Sequence, residues 1–445
     1  MGEELNILWG SEQPNRHTGY GRVSRELAKR WVANGHEVNI MGWDYSGEPF
    51  EHAEGWKLID AGLGGFGNYN IMGPESPTIL EKNLLTFKPD IFGSLIDIWY
   101  TGHMTQSCNA LGVPHVNYVP IDGIPFSEQW NNLAIQSHTL TFMSDFGLYV
   151  FESHIKHHSQ NPEFAEALSR FEEDKPTRIY HGADLDVFSP ATKAEKDLLK
   201  EKWGFPWEVT FLSVARNVNR KQTPRLLEAM HHLVYAHGEK DVGLVLHCGD
   251  PFDTTKQGWN LPQLVARYGL QGHVAFTDDN SNPLTGMPTP DLADLFRVCD
   301  VHILSTGGEG FGIPTAEAFA SGLPAILPGN STGPELVGTM EPGEGERGWL
   351  AGLDSRIVGA QWGVEMGLVS VGHLVEMMKE SLDKKKRTSK GKKARKWAEE
   401  NLNWDNIAVE FEELFKSRLE LEHPLGPLVD NSRLHTLSPY LSQQG

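Results

Sequence analysis

The chain has 445 residues, too many for one ordinary core, and its 39% hydrophobic and 22% charged content excludes a disordered or fibrous protein, so two domains are expected. Thirty-nine basic residues against 59 acidic ones leave a net charge of −20, which argues against a general grip on nucleic acid. No run of about 18 apolar residues occurs, MGEELNILWG does not read as a signal peptide, and Cys108, Cys248 and Cys299 are scattered and odd in number, so a reduced, cytoplasmic protein without a membrane span is expected.

Strand-like and helix-like segments alternate, the signature of parallel α/β architecture. LNILWG (5–10) reads as a strand, the polar loop SEQPNRHTGYG follows, and RVSRELAKRWVANG reads as a helix with Val23, Leu27 and Trp31 on one face and Gly35 at its end. HEVNIMGW, PDIFGSLID (89–97), PHVNYVPID (114–122) and TLTFMS (139–144) continue the series. The pattern restarts at EVTFLSVAR (208–216), with a helix in TPRLLEAMHHLVYAHG and further buried strands in VGLVLHCGD, HVAFTDD, VHILST and PAILP. This order predicts two facing doubly wound domains, 1–185 and 186–400, with ligands in the cleft at the carboxyl ends of the strands. A late helix within 401–422 contains Trp404, and 423–445 is a Pro/Ser-rich tail that either wraps on the body or binds a partner. The run KKKRTSKGKKARK (384–396) reads as a solvated helix face, or as a contact for an anionic membrane or polymeric acceptor.

The stretch GGEGFGIPTAEAFASG (307–322) carries the strongest chemical signal. It is a strand-to-helix loop followed by a helix with Pro314 near its start, so the amides of Phe311 to Thr315 make an anion seat. Gly310 and Gly312 let the backbone approach a ligand, Glu309 projects from the loop, and Glu317 is placed to accept the vicinal hydroxyls of a ribose. In SVARNVNRKQ, Arg216 and Lys221 suit a diphosphate, while Arg220 reads as ordinary surface charge. Asp184 and Asp186 in HGADLDVFSP lack an acidic neighbourhood and read as structural rather than metal-binding. Gly19 and Gly21 begin a helix after the first strand, a weak signal that gains weight if a phosphate lies opposite.

These pieces, in this order, resemble the family-four retaining glycosyltransferases of the GT-B fold, over roughly residues 5–420. The resemblance implies an α/β GT-B architecture, two Rossmann-like domains around a cleft, and transfer of a sugar from a UDP- or GDP-linked donor to a hydroxyl acceptor; the aromatic and polar residues of IDIWYTGH and IDGIPFSEQW suit a saccharide there, and the basic run 384–396 leaves a polymer as the second choice. It implies that Arg216 and Lys221 bind the donor diphosphate, Glu309 meets the transferred sugar, Glu317 the ribose, and the amides of Phe311 and Gly312 the phosphate and sugar. It also implies that Gly249 lines the base pocket and that no metal or other cofactor is needed. Many members carry a histidine in the loop after PHVNYVPID; here Asp122 stands in that loop, as a substitute or as a turn residue, and His103 in WYTGHMT is a second candidate. Gln222 occupies a position where glycine is common. A sugar-nucleotide epimerase or a non-catalytic scaffold on the same frame is the alternative.

Overall fold

A computed structural model describes residues 4–420 except 17, 64, 66–76, 166–168, 170, 172–174, 253, 255–257, 278–285 and 360–361; the tail 423–445 lies outside the described residues. The first domain is built on β1 (Asn6–Ser11), β2 (Glu37–Gly42), β3 (Phe50–Glu51), β4 (Lys57–Ile59), β5 (Ile91–Leu95), β6 (His115–Val119), β7 (Thr139–Phe142) and β8 (Thr177–Arg178). Their order in the sheet is β3-β4-β2-β1-β5-β6-β7-β8, parallel throughout except that β3 runs against β4. The second domain uses β9 (Val209–Val214), β10 (Val242–His247), β11 (Val274–Phe276), β12 (Val301–Ile303), β13 (Ala325–Pro328), β14 (Gly343–Glu344) and β15 (Gly348–Ala351). These lie in the order β11-β10-β9-β12-β13-β15-β14, with only β14 antiparallel. Helices cover both faces of such sheets, which is why the central strands β5 and β9 are largely apolar and buried on every residue.

The expected parallel strands are present, and the departures are short or exposed. The edge pair β3 and β4, together with β8, holds two or three residues per strand and carries no apolar run. A third sheet, the antiparallel hairpin β16 (Leu353–Val358) and β17 (Glu365–Val369), is also absent from the sequence reading, because β16 is exposed along most of its length. This hairpin reaches the first domain. Glu365 exchanges backbone hydrogen bonds with Ile124, its amide donating at 2.6 Å, and the Ser127 hydroxyl donates to the Trp362 carbonyl at 2.7 Å.

The chain returns to the first domain at its described end. Helix Trp404–Leu419 packs on helix Gly19–Ala33, where the Trp31 indole donates to the Ala408 carbonyl and Phe411 and Phe415 press on the Trp31 ring at 5.9 and 5.5 Å. Trp404 is buried against Gly182, whose missing Cβ would stand 2.4 Å from the indole. The preceding helix, Lys384–Asn401, contains the basic run and divides it. Lys386 and Lys390 pair with Glu344 of β14 within the second domain, and Arg395 donates to the carbonyls of Leu185, Phe188 and Ala320, fixing the segment that joins the domains. Lys384, Lys385, Lys392, Lys393 and Lys396 face solvent. Asp184 accepts the amides of Asp186 and Val187 in a tight turn between the domains. The three cysteines are buried and, among the described residues, none forms a disulfide; among the same residues no helix is long and apolar enough to cross a membrane.

Candidate active site

In each parallel sheet the strand order reverses direction once, and ligands of such sheets sit outside the carboxyl ends at that point. In the first sheet the reversal falls between β1, ending at Ser11, and β5, ending at Leu95; in the second it falls between β9, ending at Val214, and β12, ending at Ile303. The loops that leave these four strands carry Glu12, Asp97, Arg216 to Lys221, and Glu309. Glycine makes the facing loops touch: a Cβ on Gly308 would stand 1.9 Å from the Asp122 carbonyl oxygen, and one on Gly310 would stand 2.5 Å from the Pro120 side chain.

Glu309 is the centre of this contact. Its carboxylate pairs with Lys221 and lies 3.5 Å from Arg220, while its amide donates to the Ser331 hydroxyl oxygen at 3.0 Å. Burial alone would raise its pKa, but Lys221 and Arg220 outweigh burial and hold it at about 2. Lys221 is pulled below the usual ammonium value by burial and by Arg220 and Arg216, with Glu309 opposing. Arg220 donates to the Gly308 carbonyl and reaches the Asp122 carboxylate at 3.7 Å, so Asp122 and Glu309 bracket one guanidinium. Arg216 is exposed, and its charge is felt at Lys221 and Asp97.

The helix Ile313–Ala320 begins at Gly312, whose φ of 100° lies in the left-handed region. The Thr315 amide closes a turn on the Gly312 carbonyl at 2.8 Å, and the amides of Gly310 to Ile313 are not bonded within the described chain. The anion seat is therefore narrower than Phe311–Thr315. Gly310 makes room for Pro120, rather than for a ligand as the sequence suggested. The Phe311 ring turns inward against Tyr180 and His181, at 5.5 and 5.2 Å. Beside Glu309 a small cavity is lined by Thr306, Thr315, Asn330 and Ser331, and the buried Thr315 hydroxyl and Asn330 carbonyl oxygen have no partner.

Glu317 lies one turn further into the helix than the first and is buried rather than open to the cleft. Its Oε1 pairs with Arg22 of the first domain, and its Oε2 has no partner. Burial raises its pKa, and Arg22 only partly offsets this. Gly19 and Gly21 stand inside the first turn of helix Gly19–Ala33, one facing Ile313 of the second domain and the other making room for the carbonyls of Gln13 and Arg16. Gly249 follows β10 with a φ of 74° and open space around it. His103 is in the first turn of helix Gly102–Leu111 and its charge is felt at the buried His115; the charges that dominate Asp97 and Glu309 are others.

Several residues that shape the site escaped the sequence reading. Arg220, which reads as surface charge in the sequence, is instead half-buried between Glu309 and Asp122. Asp97, at the end of β5, is raised to about 7 by burial and by Asp122, with Glu12 adding and Arg220 and Arg216 opposing. Tyr20 lies among the same carboxylates and is raised well above its ordinary value by burial first and then by Asp97, Asp122 and Glu12. Trp99 and Trp130, in the loops after β5 and β6, pack against Trp362 of the second domain at 5.2 and 5.9 Å. Gln222 adopts a left-handed φ of 49° and bonds the hairpin through Gly367 and Val369, so its side chain does work that glycine could not.

Residues 195–351 match the family described as Glycosyl transferases group 1. The chain is 29% identical over 150 residues to mannosylfructose-phosphate synthase of Agrobacterium fabrum, covering 33% of this chain and 31% of that one. It is 27% identical over 150 residues to D-inositol 3-phosphate glycosyltransferase of Corynebacterium kroppenstedtii, covering 33% and 32%. The chain thus spans about a third of the length of these curated relatives. Anabaena HepE, solved in complex with UDP-glucose, superposes with a TM-score of 0.65 at 15% identity over 93% of this chain and 100% of that one. The second domain thus matches the group 1 glycosyltransferase family, and the chain as a whole has the GT-B fold.

Proposed function

We propose that the chain moves a sugar from a nucleoside diphosphate sugar, UDP- or GDP-linked, to a hydroxyl of a saccharide or polymeric acceptor held against the first domain, with retention at the anomeric carbon. The observation that carries this reading is the meeting of Glu309, Lys221 and Arg220 at the switch point of the second sheet, beside unbonded amides at a helix start. In the reaction the bond from the anomeric carbon to the diphosphate oxygen breaks, and the leaving group takes the electron pair. Lys221, Arg216 and the amides of Phe311 and Gly312 stabilise that charge, which makes a divalent metal unnecessary. The acceptor oxygen attacks from the same face and its proton passes to the departing phosphate oxygen. Glu309, held at about 2, stays anionic; it opposes the positive charge of the oxocarbenium-like ring and does not donate a proton. Glu317 Oε2 accepts a ribose hydroxyl, and Gly249 leaves room for the base.

On the acceptor side, Glu12, Asp97 and Asp122 around Tyr20 favour a hydroxyl-rich acceptor without negative charge over a phosphate ester. An epimerase or a scaffold has less use for a cation pair braced on a buried glutamate. The test is incubation with UDP- and GDP-sugars in chelator and a panel of neutral glycans, read by mass spectrometry. Added hexose or pentose mass together with nucleoside diphosphate supports the reading; release of neither from any donor overturns it.

A further inference from the structure

Away from the switch-point loops, the first domain holds a cluster that the transfer reaction does not use. His154 and His158 are one helical turn apart at the end of helix Asp145–His157, with ring centroids 4.5 Å apart. Both present Nε2 to the short helical segment after β6. His154 Nε2 lies 2.6 Å from the Asn131 side-chain oxygen, His158 Nε2 lies 3.1 Å from Glu128 Oε1, and the Asn131 amide donates to Glu128 Oε2 at 2.7 Å. One ligating atom from each of Glu128, His154 and His158 falls within 4.8 Å of the others, and among the described residues no other group of three or more such side chains does this. Aromatic rings fix both imidazoles: His158 stacks on Phe164 at 4.7 Å, and His154 packs against Phe126 at 5.0 Å.

The geometry points to a divalent transition-metal site, of the zinc class, formed by Glu128, His154 and His158, with the Asn131 oxygen or a water as fourth ligand. Two imidazole nitrogens and one carboxylate select zinc, cobalt, nickel or copper over magnesium and calcium, which take oxygen ligands. The i, i+4 histidine pair is the spacing that sets two imidazoles toward one ion on a helix face. His154 is buried and His158 half-buried, so both rings are held in place at the site. The ion would not take part in sugar transfer. It ties the segment after β6, which follows Asp122 and bears the Ser127 contact to Trp362, to the helix after β7. The proposal is independent of the transferase reading.

The test uses the full chain stripped with chelator and then titrated with Zn2+ alone by calorimetry, and with Co2+ by visible absorption. One ion per chain, and cobalt bands of a four-coordinate site, are the expected results. His158→Ala and Glu128→Ala should each weaken Zn2+ binding at least tenfold, and His157→Ala, which alters an exposed neighbour, should not. Because the chain has 19 histidines, loss in the first two variants and retention in the third separate this site from diffuse binding. Circular dichroism confirms that the variants fold, and the Zn2+-induced rise in Tm of the parent gives a second readout, absent from His158→Ala. No saturable Zn2+ binding by the parent, or unchanged binding by folded His158→Ala and Glu128→Ala, overturns the proposal.

Discussion

Arg22 of the first domain and Glu317 of the second form an ion pair across the cleft, and each keeps a buried polar atom without a partner, the arginine Nε and the glutamate Oε2. The pair thus holds the domains together and still offers the oxygen that a ribose hydroxyl would complete. Removing Arg22 leaves a buried carboxylate without its cation. Burial already raises Glu317, so the folded protein can bind a proton there that the unfolded chain has lost, and stability falls as pH rises above the ordinary carboxylate range. Arg22→Ala is expected to cost on the order of 3 kcal/mol at about pH 8 and clearly less at about pH 5. Urea unfolding at the two pH values measures this; an equal loss at both contradicts it.

Glu309 tests the electrostatic part of the mechanism. A carboxylate held at about 2 is anionic throughout the neutral range and carries no titration there. Glu309→Gln should lower kcat by about a hundredfold to a thousandfold. The parent's pH–rate profile should show no acid limb assignable to Glu309. A limb near pH 5 to 6 that vanishes in the variant would mean a proton-transfer role instead.

Asp97 gives a pH signature of opposite origin. Its carboxyl is raised to about 7, chiefly by burial and then by Asp122. Between its ordinary value and about 7 the folded state keeps a proton that the unfolded state has lost, so this group lowers stability as pH rises through that window. Asp97→Asn is permanently neutral. It should raise Tm relative to the parent at about pH 8 and leave it nearly unchanged at about pH 4, as scanning calorimetry would show; a variant less stable at both contradicts the assignment.

The close approach of the loops is testable at Gly308. A methyl group there meets backbone, the Asp122 carbonyl, at 1.9 Å, and backbone cannot yield as a side-chain tip can. Gly308→Ala should displace the two loops by about an ångström and lower kcat on the order of a hundredfold, with secondary structure retained by circular dichroism. Unchanged kcat would show that this contact is not part of the working closed form.

The features legible in the sequence were those carried by local pattern. Val209–Val214 and Ile91–Leu95 are apolar runs because both sheet faces are covered, and Pro314 after the glycines marks a helix start. What was hidden depends on strand order. Asp97 looks like any loop acid until β5 is seen beside β1, and Arg220 looks like any surface cation until Glu309 and Asp122 close on it from two domains. Arg22 was hidden for the same reason, since its partner lies 295 residues away. The hairpin β16–β17 escaped because its exposed strand has no buried face to impose alternation. His154 and His158 stood in plain spacing, but Glu128 joins them only through the fold.

The most direct test of the central claim is calorimetric titration of UDP and GDP, in chelator, into the parent and into Lys221→Ala. The account predicts saturable binding of at least one nucleotide to the parent without metal, weakened in Lys221→Ala by about tenfold to a hundredfold, the worth of one charge-assisted contact to phosphate. Binding of neither nucleotide, or equal affinity in folded Lys221→Ala, would contradict it.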